Sequence, residues 1–246
     1  MLGEPAPTQG DIHFSLFGIP IRIHPLFWLV AVILGARNSG LPEILIWVAA
    51  VLVSILIHEL GHALVIKAYG FHPWVVLYGM GGVTCHDHSE NYSSKANSTL
   101  GQISISFAGP AAGFLLAAAL VMALYLAGHR AEVFFGWPLN LRPFWMESTS
   151  LAGLVNSIFF ICVLWGLVNL LPIYPLDGGQ IVREILLYLN PQEGIRQSLM
   201  LSVLTAGLVA VFGMIKLQDW FIGLFFAYLA YESFTALQAY SRGGRW

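Results

Sequence analysis

The sequence predicts an all-α polytopic membrane protein with about six spanning helices and a short membrane-associated β-sheet or re-entrant β-loop. Three observations predict it. The chain is 57% hydrophobic and only 10% charged, against about 25% charged in soluble domains. Its mean hydropathy is +0.74. Several apolar stretches are long enough to cross a hydrocarbon core of about 30 Å as helices. The net charge of -2 offers no basic patch, so nucleic acid is not expected as a partner. Cys85 and Cys162 lie far apart, one in a polar-flanked strand pattern and one in an apolar span, which argues against a disulfide framework. The N-terminus lacks the basic start and clean apolar core of a cleavable signal peptide.

The elements follow in order. Residues 1–10 are polar and rich in Pro and Gly, as in a flexible tail. Residues 11–239 are expected to form a single transmembrane domain and 240–246 a short basic tail. Asp11 to Pro25 mixes β-formers with Gly18 and Pro20, which predicts a short strand or hairpin at the membrane surface. Leu26 to Ala36 is a first apolar helix, short for a span unless the helix starts before it or the bilayer thins around it. Glu43 to Tyr69 is a second span of roughly 40 Å at 1.5 Å per residue, with Gly70 as its stop.

Between Trp74 and Thr84, β-formers are interrupted by Gly79, Gly81 and Gly82, and the pattern reads as a re-entrant β-loop. Such backbone is tolerated at membrane depth only where protein or water covers it. A polar loop, His86 to Ser98, leads to a third span, Thr99 to Ala127. The small residues within Phe107 to Gly113 suit close helix packing, and Pro110 is a candidate kink. Gly128 to Ser150 resembles an interfacial loop, with Trp137 and Trp145. The fourth span, Leu151 to Leu171, must end at Pro172 and Pro175. A helix then runs from Asp177 to Asn190, followed by spans at Ser198 to Met214 and Trp220 to Ala239.

The chemistry centres on His58-Glu59-Leu60-Gly61-His62. On a helix each residue advances about 100°, so positions four apart share a face and two imidazoles can hold one Zn²⁺. Glu59 lies close to that face, where it can take a proton from the attacking water. Ionisable side chains inside an apolar helix are costly and need a partner or a function. A catalytic zinc needs a third protein ligand. Asp177, at a broken helix end, is a candidate, and capping of the following helix is the competing explanation. His86, Asp87 and His88 compete as ligands, but their Ser/Asn-rich surroundings suit a solvated loop. Asn169 can bind a peptide backbone or an oxyanion, or simply make an interhelical hydrogen bond.

Together these residues resemble the site-2 protease family of intramembrane zinc metalloproteases. His58 to His62 matches the family's H-E-x-x-H. Asn169 to Gly179, read N-x-x-P-x-x-P-L-D-G-G, matches its more specific second motif. Phe107 to Gly113 looks like its F-x-G-P segment, and Gly81-Gly82 like its glycine-containing loop. The branch that includes sporulation sigma-factor processing proteases is the most similar. No nucleotide-binding CBS module and no PDZ insertion are expected in this sequence. The resemblance implies His58, His62 and Asp177 as ligands of one Zn²⁺ per chain, and Glu59 as catalytic base. It also implies that Asn169 and Pro175 bind the substrate backbone.

The expected function is hydrolysis of peptide bonds in or near transmembrane segments of membrane-protein substrates within the lipid bilayer. A membrane zinc carrier would want ionisable residues along several spans, which are almost absent outside the two motifs. A catalytically inactive scaffold would not need Glu59 and the full ligand set. With a cytoplasmic N-terminus, that side carries Arg22, Lys67, Lys95, Arg183, Arg196, Arg242 and Arg245, against Arg37, Arg130, Arg142 and Lys216 opposite. This bias predicts that both termini are cytoplasmic, and a bacterial cell membrane is the expected location.

Overall fold

The computed structural model describes residues 4–35, 40–79, 81–87, 95–129, 131–134, 140–143 and 149–243. The first elements are β1 (Ile12–Leu16) and β2 (Ile19–Ile23), an antiparallel hairpin as expected. Its turn residues Phe17 and Gly18 have φ of 52° and 70°. Positive φ at both positions matches the twist of the flanking strands. β2 pairs in parallel with β3 (Pro73–Tyr78), which pairs antiparallel with β4 (Gly81–His86). The sheet order is β1-β2-β3-β4, so β4 is an edge strand. A parallel pair needs a long crossover. Here α1 (Pro25–Gly35) and α2 (Leu41–Ala68) supply it.

Ile19, Ile21, Ile23, Val75 and Leu77 of the sheet share one core with Phe27 and Ala31 of α1 and Ala50 and Ile55 of α2. One charge is buried beside them. Arg22 on β2 is 7% exposed. Its guanidinium donates to Asp11 at 2.8 Å, to Glu4 at 2.7 Å and to the Pro5 carbonyl at 2.7 Å. A buried cation is tolerable when its donors are met in this way. The Thr8 hydroxyl and the Arg22 guanidinium together hold the Asp11 carboxyl well below the usual carboxylate range.

α2 ends where Gly70 was expected to stop it. Gly70 has φ 92° and its N–H bonds to the Lys67 carbonyl, while the Phe71 N–H reaches back to Ile66. That pair of bonds is the Schellman closure, which needs a left-handed residue that glycine adopts without strain.

The remaining helices are α3 (Thr99–Leu126), α4 (Thr149–Asn169), α5 (Asp177–Leu189), α6 (Gly194–Ile215) and α7 (Trp220–Gly243). α3 is continuous through Pro110. The interfacial loop expected after it contains a hairpin of β5 (Ala131–Phe134) and β6 (Asn140–Pro143), and Trp137 and Trp145 lie outside the described residues. Among the described residues five helices, α2, α3, α4, α6 and α7, are long and apolar enough to cross a membrane. These five, with the shorter apolar helix α1, stand beside the expected count of about six. α1 has 11 residues, roughly 16 Å of helix, about half the hydrocarbon thickness.

α6 begins at Gly194 rather than Ser198. The Asn190 side chain accepts the N–H groups of Gln192 and Glu193, and a Cβ on Gly194 would come within 2.6 Å of the Leu186 carbonyl. The α5–α6 connection is therefore a tight glycine turn, shorter than the loop read from Pro191 to Gln197.

By internal contacts the chain forms two compact units. One comprises Ser94–Phe107 with Val168–Trp246, the other Leu2–Ser93 with Ala108–Leu167. In the first, Ile173, Ala206, Ala210, Phe226 and Leu229 form the core. In the second, the sheet packs with α1, α2 and the enclosed parts of α3 and α4.

Candidate functional site

His58, Glu59 and His62 are buried on α2, at 4%, 6% and 8% exposure. The i, i+4 spacing puts the two imidazoles on one face. Their Nε2 atoms are 3.2 Å apart, with ring centroids 4.9 Å apart. Two nitrogens sharing a tetrahedral zinc at about 2.0–2.1 Å would be separated by about 3.3–3.4 Å. The imidazole pair thus has the spacing of two ligands to one ion.

Neighbouring glycines keep the space around this pair open. A Cβ on Gly109 of α3 would run into His62 Nε2 and lie 2.7 Å from His58 Nε2. Any side chain at position 109 would fill the volume the two nitrogens face. A Cβ on Gly61 would strike the Ala108 carbonyl and lie 2.8 Å from Ala112 Cβ. Residues 108–112 therefore press directly on the histidine helix. Plain helix packing was the reading of this segment from sequence. Packing is present, and Gly109 has the added consequence of leaving the imidazole nitrogens unobstructed. Its motif was visible in the sequence, but its target was not.

Glu59 lies on the side of α2 that meets β4. The Thr84 hydroxyl is 2.8 Å from Glu59 Oε2 and 3.0 Å from the Glu59 carbonyl. A Cβ on Gly82 would collide with Glu59 Cγ and lie 2.7 Å from Oε1. Gly82 and Thr84, two apart on a strand, share a face. The predicted β-loop is thus a regular hairpin whose edge strand sits against the acid. Of the competing ligands, His86 ends β4 with its ring centroid 5.2 Å from Phe71, Asp87 is exposed, and His88 lies outside the described residues. Among the described residues, neither His86 nor Asp87 belongs to a group of side chains able to share a metal ion.

The second motif lies in the other unit. α4 ends at Asn169, which is 7% exposed. The chain then runs unwound through Pro172 and half-buried Pro175, with a cis bond before Pro175, until α5 begins at Asp177. Unwound backbone among apolar helices must find partners for its N–H and C=O groups. Two buried serines supply them. The Tyr174 N–H donates to Ser202 Oγ of α6 at 3.0 Å, and Ser233 Oγ of α7 donates to the Tyr174 carbonyl at 2.9 Å. Neither serine stood out in the sequence, because a hydroxyl in a membrane helix usually bonds back to its own helix.

Gly178 and Gly179 were expected to permit close backbone approach, and they do so to their own loop. A Cβ on Gly178 would strike the Leu170 carbonyl, and one on Gly179 would lie 2.6 Å from the Tyr174 nitrogen. Asp177 is half-buried in the first turn of α5. It does not cap that helix. Leu176 holds the N-cap position, and no side chain caps it.

Comparison with known proteins gives a consistent result. The family model described as Peptidase family M50 matches residues 46–213. Zinc metalloprotease MJ0392 of Methanocaldococcus jannaschii is 29% identical over 209 residues, covering 80% of this chain and 54% of that protein. Putative zinc metalloprotease Rip3 of Mycobacterium tuberculosis is 32% identical over 193 residues, covering 75% of this chain and 43% of that one. The chain spans about half the length of these curated relatives. Among solved structures, the Site-2 Protease from Methanocaldococcus jannaschii aligns over 92% of this chain and 95% of that chain. At a TM-score of 0.59 and 24% identity, the two share a fold.

Proposed function

The chain belongs to peptidase family M50, and from that premise we propose that it is an intramembrane zinc metalloprotease. It hydrolyses peptide bonds in or near transmembrane segments of membrane-protein substrates. The observation that carries this reading is the buried pair of Nε2 atoms, 3.2 Å apart, one residue from a carboxylate held by a hydroxyl.

His58, His62 and Asp177 would hold one Zn²⁺ per chain. Each offers one donor atom, from two buried imidazoles and one half-buried carboxylate. Two nitrogens and one carboxylate oxygen suit a catalytic zinc that keeps a further position open. The names of the curated relatives support the choice of metal. When bound, the ion supplies Lewis acidity that acidifies water and polarises a scissile carbonyl. Glu59 takes the proton of the attacking water and later passes it to the leaving amine. Asn169 and Pro175 bind the substrate backbone beside the helix break.

A helical substrate hides its carbonyls in hydrogen bonds and must unwind to be cut. The unwound segment pairs with β4, an edge strand whose neighbour in the sheet is β3. The Lys/Arg bias supports a cell-membrane protein with cytoplasmic termini, cutting toward the cytoplasmic side. Having both termini on one side requires α1 to cross as well as the five long helices, which an 11-residue helix does only where the bilayer thins around it.

Co-expression with single-span membrane proteins tests the function. Wild type should release a cytoplasmic fragment cut within or at the edge of the membrane segment, and Glu59→Gln should release none. Equal cleavage by Glu59→Gln, or fragments on the opposite side of the bilayer, would defeat the mechanism or the orientation respectively.

A further inference from the structure

We infer that Thr84 is the positioning residue for Glu59, and that β4 serves the reaction as the support of its base. The inference rests on the proposed role of Glu59 and adds a residue that lies outside both sequence motifs. Three observations carry it. The Thr84 hydroxyl is 2.8 Å from Glu59 Oε2, the length of a hydrogen bond to a carboxylate. Position 82, on the same face of β4, is a glycine whose missing Cβ leaves the room that Glu59 Cγ, Cδ and Oε1 occupy. β4 is itself held in register by β3, with Gly82 opposite Leu77 and Thr84 opposite Val75, and both partners are fully buried.

Alone, a glutamate on a helix has three rotatable side-chain bonds, and its carboxylate samples many directions. Here one oxygen is tied to a strand fixed in a four-stranded sheet, and the stem runs through the gap at position 82. The hydroxyl has one proton and two acceptors within reach, the carboxylate and the Glu59 carbonyl at 3.0 Å. Directed at the carboxylate, it fixes the plane in which the base meets water. Positioning of this kind acts on the chemical step, so its loss lowers kcat and spares KM.

The test uses the purified full chain loaded with zinc and whichever single-span substrate wild type cuts fastest. Thr84→Val keeps the shape and strand preference and removes the hydroxyl. It should lower kcat by about 10–100-fold, with KM and zinc content unchanged. Thr84→Ser, which keeps the hydroxyl, should recover activity to within a few-fold. Thr84→Ala serves as a second hydroxyl-free variant should Thr84→Val fail to accumulate. A second readout needs no turnover. In the metal-free protein, the carboxylate stretch found by infrared difference against Glu59→Gln should shift in Thr84→Val and not in Thr84→Ser. Wild-type kcat in Thr84→Val, or equal losses in Val and Ser variants, would overturn the inference while Glu59→Gln remains inactive. Wild-type activity in Glu59→Gln would overturn the proposed mechanism itself and this inference with it.

Discussion

The two sequence motifs solve opposite problems. His58, Glu59 and His62 sit on unbroken helix, where every backbone group is already paired and the difficulty is burying three ionisable side chains. Asn169 to Asp177 has few ionisable groups and broken backbone, where the difficulty is burying unpaired N–H and C=O groups. The first is met by side-chain space and a hydroxyl, namely Gly109, Gly82 and Thr84. The second is met by Ser202 and Ser233 from two other helices. The difference teaches where to look for supporting residues. A chemical helix needs glycines on its neighbours, and a chemical loop needs hydroxyls on its neighbours.

The largest effect expected is on the helix side. Glu59→Gln should cut the rate of peptide hydrolysis by about 10²–10⁴-fold, the range for losing a general base, with zinc retained by elemental analysis. Retention matters, because it separates loss of the base from collapse of the histidine pair. Next, Gly109→Ala should remove bound zinc, since its Cβ falls on the imidazole nitrogens. Gly207→Ala is its control: a Cβ there meets nothing, and alanine should raise helix stability by roughly 0.5–1 kcal/mol. Zinc bound at wild-type level in Gly109→Ala would break the claim that glycines guard the chemical helix.

On the loop side, Asp177→Asn should lower zinc occupancy and activity together. Because Leu176 holds the cap position, little of that loss should come from unwinding of α5, which circular dichroism can check. Smaller again, Ser202→Ala and Ser233→Ala should each destabilise the protein by about 1–3 kcal/mol, the cost of leaving one buried backbone group unsatisfied. Thermal unfolding in detergent reads this directly. If either variant were neutral, hydroxyls would not be what sustains the break.

Much of this was legible in the sequence, for identifiable reasons. Apolar stretches have a length set by the bilayer, so the five long helices fall close to where hydropathy puts them. Proline and glycine act locally, so the break after Asn169 could be read from Pro172 and Pro175, and the stop of α2 from Gly70. The helical period alone pairs His58 with His62. What could not be read depends on which segments meet. The F-x-G-P segment announces close packing, yet only the fold says that Gly109 packs against imidazole nitrogens. Thr84 is one β-former among several in its strand, and its role exists only because β4 runs past Glu59. α1 is the hard case, because an apolar run of 11 residues carries a membrane composition without the usual membrane length.

The bonds at Tyr174 also set a clock. Amide protons in unwound chain ordinarily exchange with solvent readily, while those in packed helix wait for an opening event. The Tyr174 N–H belongs to no helix, yet it is bonded to Ser202 Oγ, whose own proton goes to the Ser198 carbonyl at 2.8 Å. To exchange, this amide must leave a partner anchored within α6, and the Tyr174 carbonyl must give up Ser233 for the loop to move. On the time scale of hydrogen exchange, the Tyr174 amide should therefore wait for an opening event as helix amides do, although it sits in irregular chain.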